Sequence, residues 1–139
     1  MTDNEAQVWT ETEELEAGGR VVRVIVSRPG KLNTLTPAHV AGLRDAFLKL
    51  ADDTELRVVV LTGEGDRAFI GGADLETLNG LNPDTARTFI TSLHDVCAAI
   101  RALPVPVIAR IQGYCLGAGL EVAAACDMRV ATDDSVFGM

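Results

Sequence analysis

Basic residues are few in this chain. It carries 12 Lys and Arg against 20 Asp and Glu over 139 residues, a formal charge of −8. That balance argues against non-specific nucleic-acid binding and against adsorption to anionic membranes. It still allows an anionic small molecule, because a few local cations and backbone N–H groups can hold phosphates. No apolar run approaches the ~18–20 residues that a spanning helix needs, so no membrane association is expected. Residues Met1 to Glu16 are acidic and polar, unlike a secretory or transit peptide. The three cysteines, Cys97, Cys115 and Cys126, lack any Cys-x-x-Cys spacing. An odd count without an export signal points to reduced thiols in a cytoplasmic protein. Two histidines without a carboxylate pattern beside them give no zinc signature, so no protein-bound metal is expected.

Hydrophobic residues make up 47% of the chain, enough for a buried core in one domain or part of one. Val8 to Thr12 and the β-branched run Val21 to Val26 read as a hairpin around Ala17-Gly18-Gly19-Arg20. Thr36-Pro37 is a cap followed by a first-turn proline. The helix behind it sets Val40, Leu43, Phe47 and Leu50 on one apolar face. Asp52-Asp53 closes it. Val58 to Leu61 reads as a strand covered on both faces. Asn82-Pro83 repeats the cap-then-proline device, and Phe89, Leu93, Val96 and Ile100 follow at helical spacing up to Pro104-Val105-Pro106. Val107 to Ile111 is a strand, Leu120 to Cys126 a short apolar helix, and Met128 to Ala131 a last strand, with another beginning at Ser135. This alternation predicts a mixed α/β fold with crossover connections. The whole of 1–139 reads as part of one domain, with residues 1–16 flexible or forming a short edge strand.

Two glycine-containing loops attract attention. In Ala68-Phe69-Ile70-Gly71-Gly72-Ala73-Asp74-Leu75, the paired glycines permit a sharp turn and a close approach to a ligand. Asp74 is placed to cap a short helix. A plain strand-to-helix turn is the simpler reading of the same residues. In Gln112-Gly113-Tyr114-Cys115-Leu116-Gly117-Ala118-Gly119-Leu120-Glu121, a strand feeds a glycine turn and a helix N-terminus, where unpaired N–H groups suit an oxyanion. A dinucleotide fingerprint fails here, since Val122 stands where a Gly or Ala is needed. Glu121 sits in an otherwise apolar helix, either as a first-turn dipole partner or as a placed acid or base.

Four segments, in order, resemble the enoyl-CoA hydratase/isomerase (crotonase) family. Arg28-Pro29-Gly30-Lys31-Leu32-Asn33-Thr34-Leu35 is similar to its RP-x-x-x-N-x-L segment. Phe69-Ile70-Gly71-Gly72-Ala73-Asp74-Leu75 is similar to F-x-x-G-A-D-L. Gly113 to Glu121 is similar to G-x-x-x-G-x-G-x-E, and Cys126-Asp127-Met128-Arg129-Val130-Ala131 to CD-x-R-x-A. The resemblance implies a spiral of ββα repeats, here an N-terminal half that is apparently truncated, and a trimer or a pair of trimers. It implies no bound cofactor, with a coenzyme A thioester as substrate. The family's oxyanion hole maps onto the backbone N–H groups of Ala73 and Ala118, the latter where many members carry Gly. Glu121 maps onto the first of two hydratase glutamates. CoA and substrate contacts map onto Lys31, Leu32, Gly71, Gly72, Asp74, Leu75, Gly117 and Gly119. The second glutamate follows an F-G-x-P-E pattern, so it is expected two residues past Phe137-Gly138-Met139. The expected activity is hydration of a 2-enoyl-CoA. The alternatives are an inactive or split-subunit fragment, or isomerase, hydrolase or dehalogenase chemistry on the same scaffold.

Overall fold

The computed structural model describes residues 7–139. Val8–Glu14 (β1) and Arg20–Val26 (β2) pair antiparallel, with Val8 opposite Val26 and Glu14 opposite Arg20. Gly18 and Gly19, at φ +93° and +87°, make the turn between them. The expected hairpin is therefore present, and its first strand runs two residues beyond Thr12.

Helix α1 (Pro37–Leu50) begins where Thr36-Pro37 predicts. The Thr36 hydroxyl accepts the His39 N–H, and the His39 ring reaches back to Thr36. Its other ring nitrogen lies 2.9 Å from the Ser27 carbonyl. Val40, Leu43, Phe47 and Leu50 are all buried. Helix α3 (Pro83–Ala102) is capped by Asn82 and buries Phe89, Leu93, Val96 and Ile100 against the same core.

The remaining strands divide between two sheets. Leu56–Gly63 (β3), Val107–Ile111 (β5) and Met128–Ala131 (β7) extend the first, in the order β1-β2-β3-β5-β7. Ala68–Ile70 (β4), Tyr114–Leu116 (β6) and Val136–Gly138 (β8) form the second, β4-β6-β8, all parallel. From β3 onward, each strand of the first sheet is followed by one of the second. The chain then forms a helix and returns: α2 (Leu75–Asn79) and α3 after β4, and α4 (Ala118–Ala125) after β6. This is the spiral of ββα repeats that the sequence resemblance implied.

The corners between the sheets are tight. A Cβ on Gly63 would lie 2.2 Å from the Phe69 carbonyl oxygen. The buried Gln112 amide donates to the carbonyls of Gly63 (2.7 Å), the last residue of β3, and Gly65 (3.0 Å), in the turn that follows, so one side chain spans the strand end and its turn. The Cys-Asp-x-Arg segment ties the next repeat. Asp127 accepts the Val107 N–H at 2.8 Å. Arg129 donates to the carbonyls of Ala123 and Cys126 at 3.0 Å each and so ties down the C-terminal end of α4.

Three elements differ from the sequence reading. β4 and β6 lie in stretches read as loops, because three residues carry too little pattern to show as a strand. α4 starts two residues before Leu120. β7, by contrast, lies where the sequence reading put it, at Met128–Ala131, and is exposed at all four residues, including Met128 and Val130.

Candidate active site

β4 ends in the fully buried Phe69 and Ile70, and the chain then crosses Gly71 to Asp74. Leu35 runs beside this stretch as a parallel bridge partner of Ala73. The Leu35 N–H donates to the Gly72 carbonyl at 2.8 Å, and the Asp74 N–H donates to the Leu35 carbonyl at 2.9 Å. In a parallel ladder the residue between those two bonds turns its own N–H and C=O to the opposite side. The Ala73 N–H therefore points away from Leu35.

On that opposite side lies β6 and the turn after it. A Cβ on Gly72 would come 3.5 Å from the Leu116 oxygen, and one on Gly117 3.8 Å from the Gly72 Cα. Gly119 has less room still, since its Cβ would lie 2.1 Å from the Ile70 oxygen. The first turn of α4 thus rests directly on β4. Ala118 opens α4, so its N–H has no acceptor within the helix. Among the described residues, neither the Ala73 N–H nor the Ala118 N–H makes a hydrogen bond. Two free backbone donors on adjoining loops, one at the positive end of a helix, suit an oxygen that gains negative charge.

The Leu32 loop closes another side. Leu32 and Asn33 both have positive φ, 54° and 53°, a costly conformation for leucine. Asn33 explains how it is held. Its buried side chain accepts the Arg28 N–H (2.7 Å) and donates to the carbonyls of Glu64 (3.0 Å) and Ala68 (2.9 Å). The Leu32 carbonyl then accepts the Gly71 N–H at 2.8 Å.

Asp74 caps α2, as the sequence suggested, accepting the Thr77 N–H and hydroxyl at 2.9 Å each. Its other oxygen accepts from Arg28 at 2.8 Å. The Arg28 hydrogen bond, then those of Thr77, lower its pKa to about 2. That carboxylate holds three hydrogen bonds, and the Asp74 N–H and C=O are taken by Leu35 and Leu78, so Asp74 shapes the loop with its polar groups already partnered. Leu75 is 72% exposed, and Lys31 is exposed beside the half-buried Leu32. Glu121 is exposed in the first turn of α4. It faces α3 closely enough that its charge, after burial, raises the Cys97 pKa.

The structure therefore gathers Leu32, Gly71 to Asp74 and Gly117 to Gly119 at one junction of loops. Arg28, Asn33 and Gln112 were missed as individual contributors. Arg28 and Asn33 stood inside a quoted segment, but their partners lie far along the chain. A family model described as "Enoyl-CoA hydratase/isomerase" matches residues 16–139.

The chain belongs to the enoyl-CoA hydratase/isomerase family.

It is 33% identical over 124 residues to the crotonyl-CoA hydratase of Syntrophomonas wolfei, covering 89% of this chain and 48% of that protein. The chain spans about half the length of the curated relatives it matches. Among solved structures, an enoyl-CoA hydratase of Mycobacterium smegmatis aligns with a TM-score of 0.86 at 36% identity, over 96% of this chain and 50% of that one. An enoyl-CoA hydratase/carnithine racemase of Magnetospirillum magneticum aligns with a TM-score of 0.88 at 34% identity, over 97% and 49%. These likenesses place the mixed α/β spiral within the crotonase superfamily.

One further concavity lies between α1 and α3. It encloses about 320 Å³ and is walled mainly by apolar groups, including Pro37, Val40, Leu81 and Phe89. No residue of either glycine loop lines it. No helix among the described residues is long and apolar enough to cross a membrane.

Proposed function

We propose that this crotonase-family chain binds an acyl-CoA and contributes to hydration of a 2-enoyl-CoA thioester. The observation that carries the reading is the pair of unbonded N–H groups on Ala73 and Ala118, on loops that touch through Gly72 and Gly117. When water adds to the β-carbon, the double-bond electrons move toward the thioester oxygen, and an enolate forms. Two preorganised donors stabilise that charge, and losing one donor of this kind costs ~10²–10³ in rate. Glu121 accepts the proton that the attacking water gives up. A second acid then protonates the α-carbon to complete the 3-hydroxyacyl product.

The rest of the ligand follows the same surface. Lys31 and Leu32, with the backbone of Gly71, Gly72, Asp74, Leu75, Gly117 and Gly119, border the thioester and the CoA arm. Lys31 offers an exposed cation for a phosphate in a protein of net negative charge. The protein needs no resident cofactor in this scheme. The family resemblance extends this reading to a trimer or a dimer of trimers, and the cysteine usage to the cytoplasm; the exposed apolar residues Met128, Val130 and Phe137 offer surface for association.

In the full-length protein, Glu121→Gln should leave KM for crotonyl-CoA nearly unchanged and lower kcat, followed as loss of enoyl absorbance. The amide keeps the volume but cannot take the proton, so the loss belongs to the chemical step. A change in KM alone would show that Glu121 is structural.

A further inference from the structure

We infer that Arg28 is a positioning residue for the Ala73 N–H donor, acting through the Asp74 carboxylate. This rests on the oxyanion role proposed for Ala73. Arg28 Nη1 lies 2.8 Å from Asp74 Oδ1 and 3.0 Å from Thr34 Oγ1. One nitrogen therefore joins two segments, 46 residues apart in Arg28 and Asp74, that run side by side at the site. Asp74 directly follows Ala73, and its N–H is held by Leu35. Its second oxygen is held by Thr77 at the start of α2. The peptide that carries the Ala73 donor is thus flanked by a residue fixed at three points, by Leu35, Thr77 and Arg28.

The Gly72 carbonyl of that same peptide accepts the Leu35 N–H at 2.8 Å, so one backbone bond already holds it, next to two residues that rotate easily. Gly71 and Gly72 precede Ala73, and Gly72 has a φ of +117°. Glycines resist rotation least. The direction of the Ala73 N–H then depends on its C-terminal side as well as on Leu35, and there Arg28 closes the only ion pair in this part of the described structure. The pair is largely shielded, with side-chain exposures of 27% and 14%, so solvent screens it less than a surface bridge.

The test uses the full-length protein with two probes. Crotonyl-CoA reports turnover. A non-reacting aryl-conjugated enoyl thioester of CoA reports carbonyl polarisation, because its absorption reddens when its carbonyl is hydrogen-bonded strongly. Arg28→Met should lower kcat by about 10- to 100-fold and remove much of the red shift, because a donor displaced by a fraction of an ångström loses its alignment. KM should stay within about threefold. Arg28→Lys should recover most of both signals, since one ammonium can take the place of Nη1 between Thr34 and Asp74. Arg28→Met combined with Asp74→Asn should be no worse than the more damaging single change, because both act on one contact. A lower kcat with an undiminished red shift in Arg28→Met would overturn the inference, as would additive losses in the double variant. Should Arg28→Met fail to fold, Asp74→Asn decides, and an undiminished red shift there refutes it. An unshifted spectrum in the unaltered protein, with Ala118→Pro fully active, sinks the oxyanion reading itself, and this inference with it.

Discussion

Gly119→Ala is the smallest change that tests whether α4 sits where the chemistry needs it. The added methyl would lie 2.1 Å from the Ile70 oxygen, 2.9 Å from the Ile70 Cβ and 3.0 Å from its carbonyl carbon. Ordinary contact begins near 3.4 Å, so helix and strand must part by more than about 1 Å. The obstructing atoms are mostly backbone of a buried strand, which cannot rotate aside as a side chain would. Overpacking of this kind costs about 1–3 kcal/mol, and here the upper end is expected. The functional loss should be larger than the stability loss suggests. Ala118 immediately precedes Gly119, so its N–H travels with the helix, and a 1 Å misplacement can cost about 10²-fold in rate. Urea denaturation and crotonyl-CoA turnover, both on the full-length protein, measure the two effects. Gly30→Ala is the control, since nothing lies within 4 Å of its added methyl and its backbone does not need a positive φ. It should shift stability by no more than about 0.5 kcal/mol. If Gly119→Ala matches the unaltered protein in both assays, α4 does not rest on β4 at Ile70, and the paired-donor geometry fails.

Other outcomes follow from the same contacts. Ala118→Pro removes one N–H and should abolish turnover in the full-length protein, whereas Ala118→Gly keeps the donor and should stay active. Gly113→Ala should destabilise, because φ is +63° and the new methyl would lie 2.0 Å from the Arg67 oxygen, as a lowered urea midpoint would show. Burial holds the His39 pKa below its ordinary 6.5, so protonation favours the unfolded chain. Its contribution is complete above about pH 6.5 and declines as the pH falls from there toward the folded value, a slope that His39→Gln should flatten in pH-dependent urea titrations. The Asp74 contribution is kept to lower pH and is lost between about 4 and about 2. The 139-residue chain alone should bind an apolar dye and self-associate in light scattering, because Met128, Val130, Val136 and Phe137 are each about half exposed on neighbouring edge strands. A monodisperse chain without dye binding would contradict that.

Local chemistry made much of this protein readable in one dimension. Thr36-Pro37 and Asn82-Pro83 mark helix starts because cap and proline act within a few residues of one another. The buried faces of α1 and α3 follow from helical spacing, and the Asp74 cap from its place before Leu75. The four family segments pointed to the spiral through the resemblance they carry, although partners of Arg28, Asn33 and Asp127 lie outside their own segments. Only the tertiary structure supplied what depends on distant partners. β4 and β6 are three residues each and exist by pairing with each other across more than forty positions. Asn33 and Gln112 had no visible task until the turn carbonyls of Gly63, Glu64, Gly65 and Ala68 came to them. The direction of the Ala73 N–H depends on Leu35 pairing beside it, and the closeness of Ala118 on Gly119 having no side chain above Ile70. A sequence shows which residues permit such approaches. The pairing of strands far apart in the chain decides which approaches are made, because loop closure and burial are settled for the whole core together.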